Sequence, residues 1–270
     1  MNAPVKPAPL DRTNGTKTKL ANGGYAFGTW ITYGRNLEVV KQIADAGFDH
    51  VYVDMEGTNL SIETVGDICQ MARALGLAPI VRPPELTEAI TFRLMTLGVM
   101  GLMFHDVDDL AEAQEIRRWI TGEKGLSNHH SVSASAPQNF AFVVQIETVK
   151  GLANVEEILS VPGIDMVQFG SSDYSMSLGL TGQRSHPDVV KAERKTIETA
   201  LKMGKHPRVE LADISGAKPY LEMGVKHFCI GWDVRILYNW WRTNGVGMRA
   251  MLTGEAAVAR APQSVKTGSY

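Results

Sequence analysis

No run of the 270 residues approaches the roughly 20 consecutive apolar side chains that a membrane helix requires, so no membrane anchor or membrane partner is expected. Cysteine is scarce. Cys69 and Cys229 are the two, both inside apolar segments, so a disulfide scaffold is not needed and a reducing, cytoplasmic setting fits. An excess of one charge is missing too: 27 Lys and Arg oppose 29 Asp and Glu, interspersed, for a net charge of −2. A chain without a basic face is not built for nucleic acid or an anionic membrane surface. The opening MNAPVKPAPLDRTNGTKTKL lacks the apolar core of a signal peptide, and residues 1–22 are expected to be a flexible arm.

What remains is a repeating pattern. Short apolar runs stand at 26–31 (AFGTWI), 50–55 (HVYVDM), 78–83 (APIVRP), 99–105 (VMGLMFH), 140–147 (FAFVVQIE), 164–170 (IDMVQFG), 208–211 (RVEL) and 226–231 (KHFCIG). Helical patterns lie between them, punctuated by Gly47, Gly76, Gly98, Gly204 and Gly224. Strands that are apolar throughout, rather than alternating, suit a parallel sheet covered on its outer face. Eight such units predict one α/β domain, a (β/α)₈ TIM barrel over 23–253, followed by a polar tail over 254–270. The polar loop 123–139 is long enough to serve as a lid, although it follows a helix and so begins at the barrel face opposite the mouth. His129 and His130 within it suit solvation. The last helical segment, 233–251, places Trp240 beside Trp241; one helix face cannot bury both, so one of them is available to another subunit.

Catalytic groups of a barrel sit at the C-terminal strand ends. Here those ends carry Trp30, Asp54 with Glu56, Arg82, His105 with Asp106, Gln145 with Glu147, Ser172 with Asp173, and Glu210. Glu147 and Asp173 each follow an apolar strand closely, and two carboxylates with room for water suit Mg²⁺, Mn²⁺ or a similar ion. Equally, each could cap the helix that follows it. Arg82, in VRPP, can bind a substrate carboxylate or pair with Asp54 or Glu56, and the two roles are compatible. His105 is either a general base or a histidine tied to a neighbouring loop.

These residues resemble the HpcH/HpaI aldolase family, the class II, metal-dependent aldolases of 4-hydroxy-2-oxo acids. The resemblance rests on FGTW at 27–30, AGFDHVYVDMEG at 46–57, VRPP at 81–84, QIET at 145–148, GIDMVQFGSSDYSMSLGLTG at 163–182 and HPDVVKA at 186–192, and covers roughly residues 25–240. It implies that Glu147 and Asp173 hold the metal (Mg²⁺, Mn²⁺ or Co²⁺), that Arg82 binds pyruvate, that Trp30 lies at the mouth, that Gln145 stands beside the metal, and that the amides of Ser171 and Ser172 take the pyruvate carboxylate. It also implies a homo-oligomer, trimer or hexamer, acting on a small 2-oxo acid. The chain departs from the family after its second strand: Gly57 stands where the family has its proton-transferring histidine, and Thr96 where that histidine has its aspartate partner. His105 is the replacement base this suggests, with Glu56 next in line.

The expected activity is therefore carbon–carbon lysis or formation at a 4-hydroxy-2-oxo acid through a pyruvate-type enolate stabilised by the metal. An oxaloacetate-type decarboxylase, which needs no base for a hydroxyl proton, is the first alternative. A metal- or ligand-binding barrel without turnover is the second.

Overall fold

The computed structural model of the chain describes residues 13–122 and 139–253. Eight strands close into one barrel: β1 (Ala26–Ile31), β2 (His50–Asp54), β3 (Ala78–Arg82), β4 (Gly101–Phe104), β5 (Ala141–Ile146), β6 (Ile164–Phe169), β7 (His206–Leu211) and β8 (His227–Trp232). Every neighbouring pair is parallel, including β8 with β1. The fold is the expected (β/α)₈ barrel, with strand ends within two residues of those predicted. The strands read as continuous apolar runs because both of their faces are covered. Val51, Val53, Val81, Leu102, Phe104, Val144 and Ile146 pack outward beneath the helices. Tyr52, Ile80, Met103, Val143 and Met166 alternate with them and fill the interior.

The connecting helices among the described residues are α2 (Leu37–Asp45), α3 (Ile62–Ala74), α4 (Glu88–Thr96), α5 (Leu110–Thr121), α6 (Val149–Ala153), α7 (Val155–Leu159), α8 (Ser171–Ser177), α9 (Pro187–Lys202), α10 (Ala217–Glu222) and α11 (Asp233–Thr253). Asn36, Ser61, Thr87, Asp109 and Thr148 cap α2 to α6 by accepting first-turn amides, which satisfies donors a helix start leaves open. The five glycines picked out above all have positive φ. At Gly98 (φ 85°) the chain leaves α4 through a left-handed residue, a conformation that would strain any residue with a Cβ.

Two expectations are corrected. The arm predicted over 1–22 contains a helix, α1 (Gly15–Ala21), which closes the N-terminal end of the barrel. Asn14 Nδ2 donates to Met100 O at 2.7 Å, Lys17 pairs with Asp165 at 2.9 Å, and Leu20 is buried against the barrel interior. The segment looks polar because its few inward groups are mostly hydrogen-bonding ones. Secondly, α11 buries none of its side chains, and both Trp240 and Trp241 are exposed rather than one. The helix is anchored through Asp233, whose carboxylate accepts the amides of Thr32, Tyr33 and Gly34 beyond β1. The proposed lid and its histidines at 123–138, and the tail 254–270, lie outside the described residues. Among the described residues no helix is long and apolar enough to cross a membrane.

Candidate active site

Strand β2 delivers Asp54 and, one turn on, Glu56; β3 delivers Arg82. Their side chains form a compact charge cluster. Arg82 Nε and Nη2 donate to the two oxygens of Asp54, each at 2.9 Å, while Nη1 lies 2.7 Å from Glu56 Oε2. Asp54 and Arg82 are register partners, so the paired strands set this fork before any ligand arrives. Asp54 is 2% exposed, whereas the Glu56 side chain is 33% exposed. The Asp54 arm is structural, and the Glu56 arm is the exchangeable one. Burial pushes the Glu56 carboxyl above its usual range, opposed by Arg82 and His105.

His105 follows β4. Its Nδ1 lies 3.1 Å from Asp106 Oδ2 and 3.8 Å from Glu56 Oε1, and its buried Nε2 has no hydrogen-bond partner among the described residues. Strand alternation predicts that Asp106 faces away from the ring; the structure shows the opposite. β4 ends at Phe104, and Asp106 has φ +51°, the sole positive φ outside glycine among the described residues. That left-handed turn brings its carboxylate back to the imidazole, which holds the Asp106 carboxyl below its usual range. Strain of this kind, on the order of 1 kcal/mol or more, is typical of functional sites.

Glu147, just past β5, is buried. It accepts from the Asp106 backbone amide at 2.8 Å and from Gln145 Nε2 at 2.5 Å. Burial drives its carboxyl well above the ordinary range, and the charges of Asp106, Asp173 and Glu56 act in the same direction. Asp173 is the third residue of α8, in its first turn and half-buried. Neither acid caps a helix: Thr148 caps α6, and α8 begins at Gly170 with no side-chain cap. The capping alternative is thereby removed for both. Gly170, which the sequence did not single out, fits closely: a Cβ there would lie 2.5 Å from Glu147 Oε2 and 2.8 Å from Gln145 Nε2.

Trp30 is buried, 4% exposed, beneath the mouth, with Arg82 over its ring at 5.1 Å and its Nε1 bonded to Glu210. Ser171 and Ser172 open α8, half-buried, beside Asp173. Glu56, His105 and Asp106 place ligand atoms within 4.8 Å of one another, a second donor group that could hold a cation. The sequence had assigned two of these three to catalysis. Glu147 meets this trio through the Asp106 backbone amide, and Asp173 and Arg82 lie near enough for their charges to act with its own. Asp106, Asp173 and Glu56 all act on Glu147, and Asp106 also acts on Glu56, beside a guanidinium already occupied by Asp54. Such a donor set fits a divalent ion of the oxygen-preferring kind.

The fold is a parallel (β/α)₈ barrel whose mouth gathers an arginine, a histidine and several carboxylates. The model of the HpcH/HpaI aldolase/citrate lyase family matches residues 27–239. The chain belongs to that family and is a carbon–carbon lyase. It is similar to a hydroxypyruvate/pyruvate aldolase of Paraburkholderia phytofirmans, 28% identical, the match covering 82% of this chain and 92% of the relative. A 4-hydroxy-2-oxo-heptane-1,7-dioate aldolase of Shigella sonnei is 29% identical, with 83% and 90% covered. The solved HpcH/HpaI aldolase of Desulfitobacterium hafniense superposes with a TM-score of 0.78 at 25% identity, covering 88% of this chain and 97% of that one.

Proposed function

We propose that the chain cleaves a 4-hydroxy-2-oxo acid to a pyruvate-type product and an aldehyde, with the acid bound between Arg82 and Glu147. The observation that carries this reading is the buried Glu147, its charge opposed by neighbouring carboxylates, facing an arginine with one exchangeable arm. Glu147 and Asp173 would hold the divalent cation, which supplies a Lewis acid for the oxygens of the 2-oxo acid. Arg82 Nη1 leaves Glu56 for the substrate oxygen and steadies the negative charge that develops there. The uncapped amides of Ser171 and Ser172 supplement it at the carboxylate, and the Gln145 amide keeps Glu147 in place.

His105 takes the C4 hydroxyl proton as the C3–C4 bond breaks. The electron pair moves onto the C2 oxygen as an enolate, and the aldehyde departs; a proton returned to C3 completes the pyruvate-type product. Asp106 holds the ring through Nδ1. Glu56, once released from Arg82, lies near enough to Nδ1 to support the imidazolium. Trp30 walls the mouth.

The deciding experiment follows pyruvate release from 4-hydroxy-2-oxo acids and from oxaloacetate, with EDTA and with added Mg²⁺, Mn²⁺ or Co²⁺. Metal-dependent aldol cleavage is expected. Turnover of oxaloacetate alone would transfer the assignment to decarboxylation, and no turnover of either would leave a binding barrel. The exposed apolar face of α11, with Ile236, Leu237, Trp240, Trp241 and Met251, we assign to contact with another copy of the chain in a trimer or hexamer. Sedimentation of the full chain tests that. Cys69 and Cys229, both free and buried, agree with a reducing cytoplasm.

A further inference from the structure

Below Trp30 the barrel interior changes character. Half of it, lined by Ile80, Met103, Val143 and Met166, is apolar as expected. The other half is polar, and it comes from four adjacent strands. Arg208 of β7 is the register partner of His227 of β8, and Gly28 of β1 pairs with both Cys229 of β8 and His50 of β2. Gly28 makes the inward His50 ring possible: a Cβ at that position would lie 2.1 Å from His50 Cδ2. The guanidinium of Arg208 lies over the Tyr52 ring at 3.8 Å and the Trp30 ring at 4.8 Å.

Arg208 is 2% exposed and permanently charged; the Cys229 sulfur is close enough to act on it as a weak hydrogen-bond partner, but no oxygen or nitrogen of the described residues bonds any of its three nitrogens. The same holds for Tyr52 Oη, both ring nitrogens of His227 and His50 Nε2. Tyr52, Cys229, His50 and His227 bring Arg208 no negative charge. Burial pushes the Cys229 thiol up to about 12 and keeps Tyr52 protonated as well. Burial and Arg208 together keep His50 neutral, and burial and His50 do the same for His227. Glu210 is the carboxylate that acts on Arg208, but its oxygens are engaged by Trp30 Nε1 and, at 3.4 Å, by Gln168 Nε2. Across Trp30, the neighbouring cation is Arg82. A charge this deep is costly unless paired. Water satisfies donors but brings no opposite charge.

We propose that the barrel holds a small monovalent anion of the halide class against Arg208, with Tyr52 and His227 as further donors. A carboxylic acid does not suit the place, because Trp30 and Tyr52 both cover the guanidinium and every lining group is buried. The anion would balance the second guanidinium behind Trp30 and leave Glu210 to hold the tryptophan.

Two measurements on the full chain test this. Crystals grown in sodium bromide, measured at the bromine absorption edge, should show an anomalous peak within hydrogen-bond reach of Arg208. Water-like density without anomalous signal would overturn the proposal. In solution, the wild-type Tm should rise saturably as bromide replaces gluconate at constant ionic strength, as ligand linkage requires. Arg208→Leu should lose that rise while matching or exceeding wild type in gluconate, since replacing an unpaired buried charge by an apolar side chain is tolerated. A wild-type Tm indifferent to halide, or a variant that keeps the full response, would refute the assignment. The crystallographic arm needs no variant and decides the matter if Arg208→Leu does not fold.

Discussion

Arg82→Lys separates the structural from the catalytic share of the mouth arginine. In the fold, Nε and Nη2 make two parallel bonds to Asp54, and Nη1 reaches Glu56. Lysine keeps the charge but offers one nitrogen on a flexible stem, so it can hold Asp54 or serve the ligand, not both. Losing one charge-assisted bond of the fork costs roughly 1.5–3 kcal/mol. The Arg82 side chain is only 16% exposed, so solvent screening reduces that little. For a chain of this size the loss corresponds to a fall in Tm of about 3–12 °C. Removal of one preorganised donor to a developing oxyanion lowers kcat by about 10²–10³. Both losses should therefore appear: a modest fall in Tm by calorimetry and a much larger fall in kcat/KM for pyruvate release, with kcat itself affected. A variant with the lowered Tm and wild-type kcat/KM would show that Arg82 only braces Asp54, and the developing oxyanion would have to be stabilised elsewhere.

Glu147→Gln and Asp173→Asn should each weaken Mn²⁺ binding in calorimetry by roughly tenfold or more, as loss of a metal-site group commonly does; unchanged affinity in both would return the cation to Glu56, His105 and Asp106. His105→Ala should slow aldol cleavage by about 10²–10⁴ and spare decarboxylation of oxaloacetate, whereas equal losses in both would make His105 a positioning residue. Gly170→Ala keeps an allowed φ of −90°, but its Cβ meets Glu147 Oε2 at 2.5 Å, Glu147 Cβ at 2.7 Å and Gln145 Nε2 at 2.8 Å, so Mn²⁺ affinity and Tm should both drop; normal affinity would mean Glu147 tolerates displacement. His50 is pushed down to about 3 by burial and then by Arg208. The unfolded chain takes up this proton below about pH 6.5 while the folded one does not, so in halide-free buffer stability should fall with pH across that window by up to about 1.4 kcal/mol per unit, and His50→Gln should flatten the slope measured by urea unfolding; parallel slopes would rule the group out.

The barrel was legible because covering both faces of a parallel strand leaves a signal that periodicity cannot hide: HVYVD and AFVVQI are buried at every position. The convergence of Asp54, Glu56, Arg82, His105 and Glu147 followed from the rule that strand ends share one mouth. Three features were not legible. The link from Asp106 to His105 depends on a left-handed residue after a strand that ends one position early, where alternation no longer applies. The α1 plug has too few apolar positions to register as a helix, and its stability comes from Asn14 and Lys17 meeting strand starts far along the chain. His50, Arg208 and His227 could be read as residue types in HVYVDM, RVEL and KHFCIG, but sequence does not say which face of a closed barrel a polar side chain takes.

Glu56 stands between two partners at the mouth. That carboxylate touches Arg82 with one oxygen at 2.7 Å and approaches His105 Nδ1 with the other at 3.8 Å. An acid substrate that takes Arg82 Nη1 necessarily frees Glu56, and the nearest cationic partner left to it is a protonated His105. On the proposed reading, substrate binding at Arg82 and proton transfer at His105 are coupled through one side chain, which Arg82 alone would not provide. Glu56→Gln breaks the coupling but keeps the shape. Substrate should then bind at least as tightly, because Arg82 gives up a weaker partner, while kcat for aldol cleavage falls because the imidazolium loses its counter-charge. A lower KM with a lower kcat is the signature of a ground-state contact exchanged for a transition-state one. A rise in KM at constant kcat would instead make Glu56 a substrate ligand, and the proton would have to leave by another route.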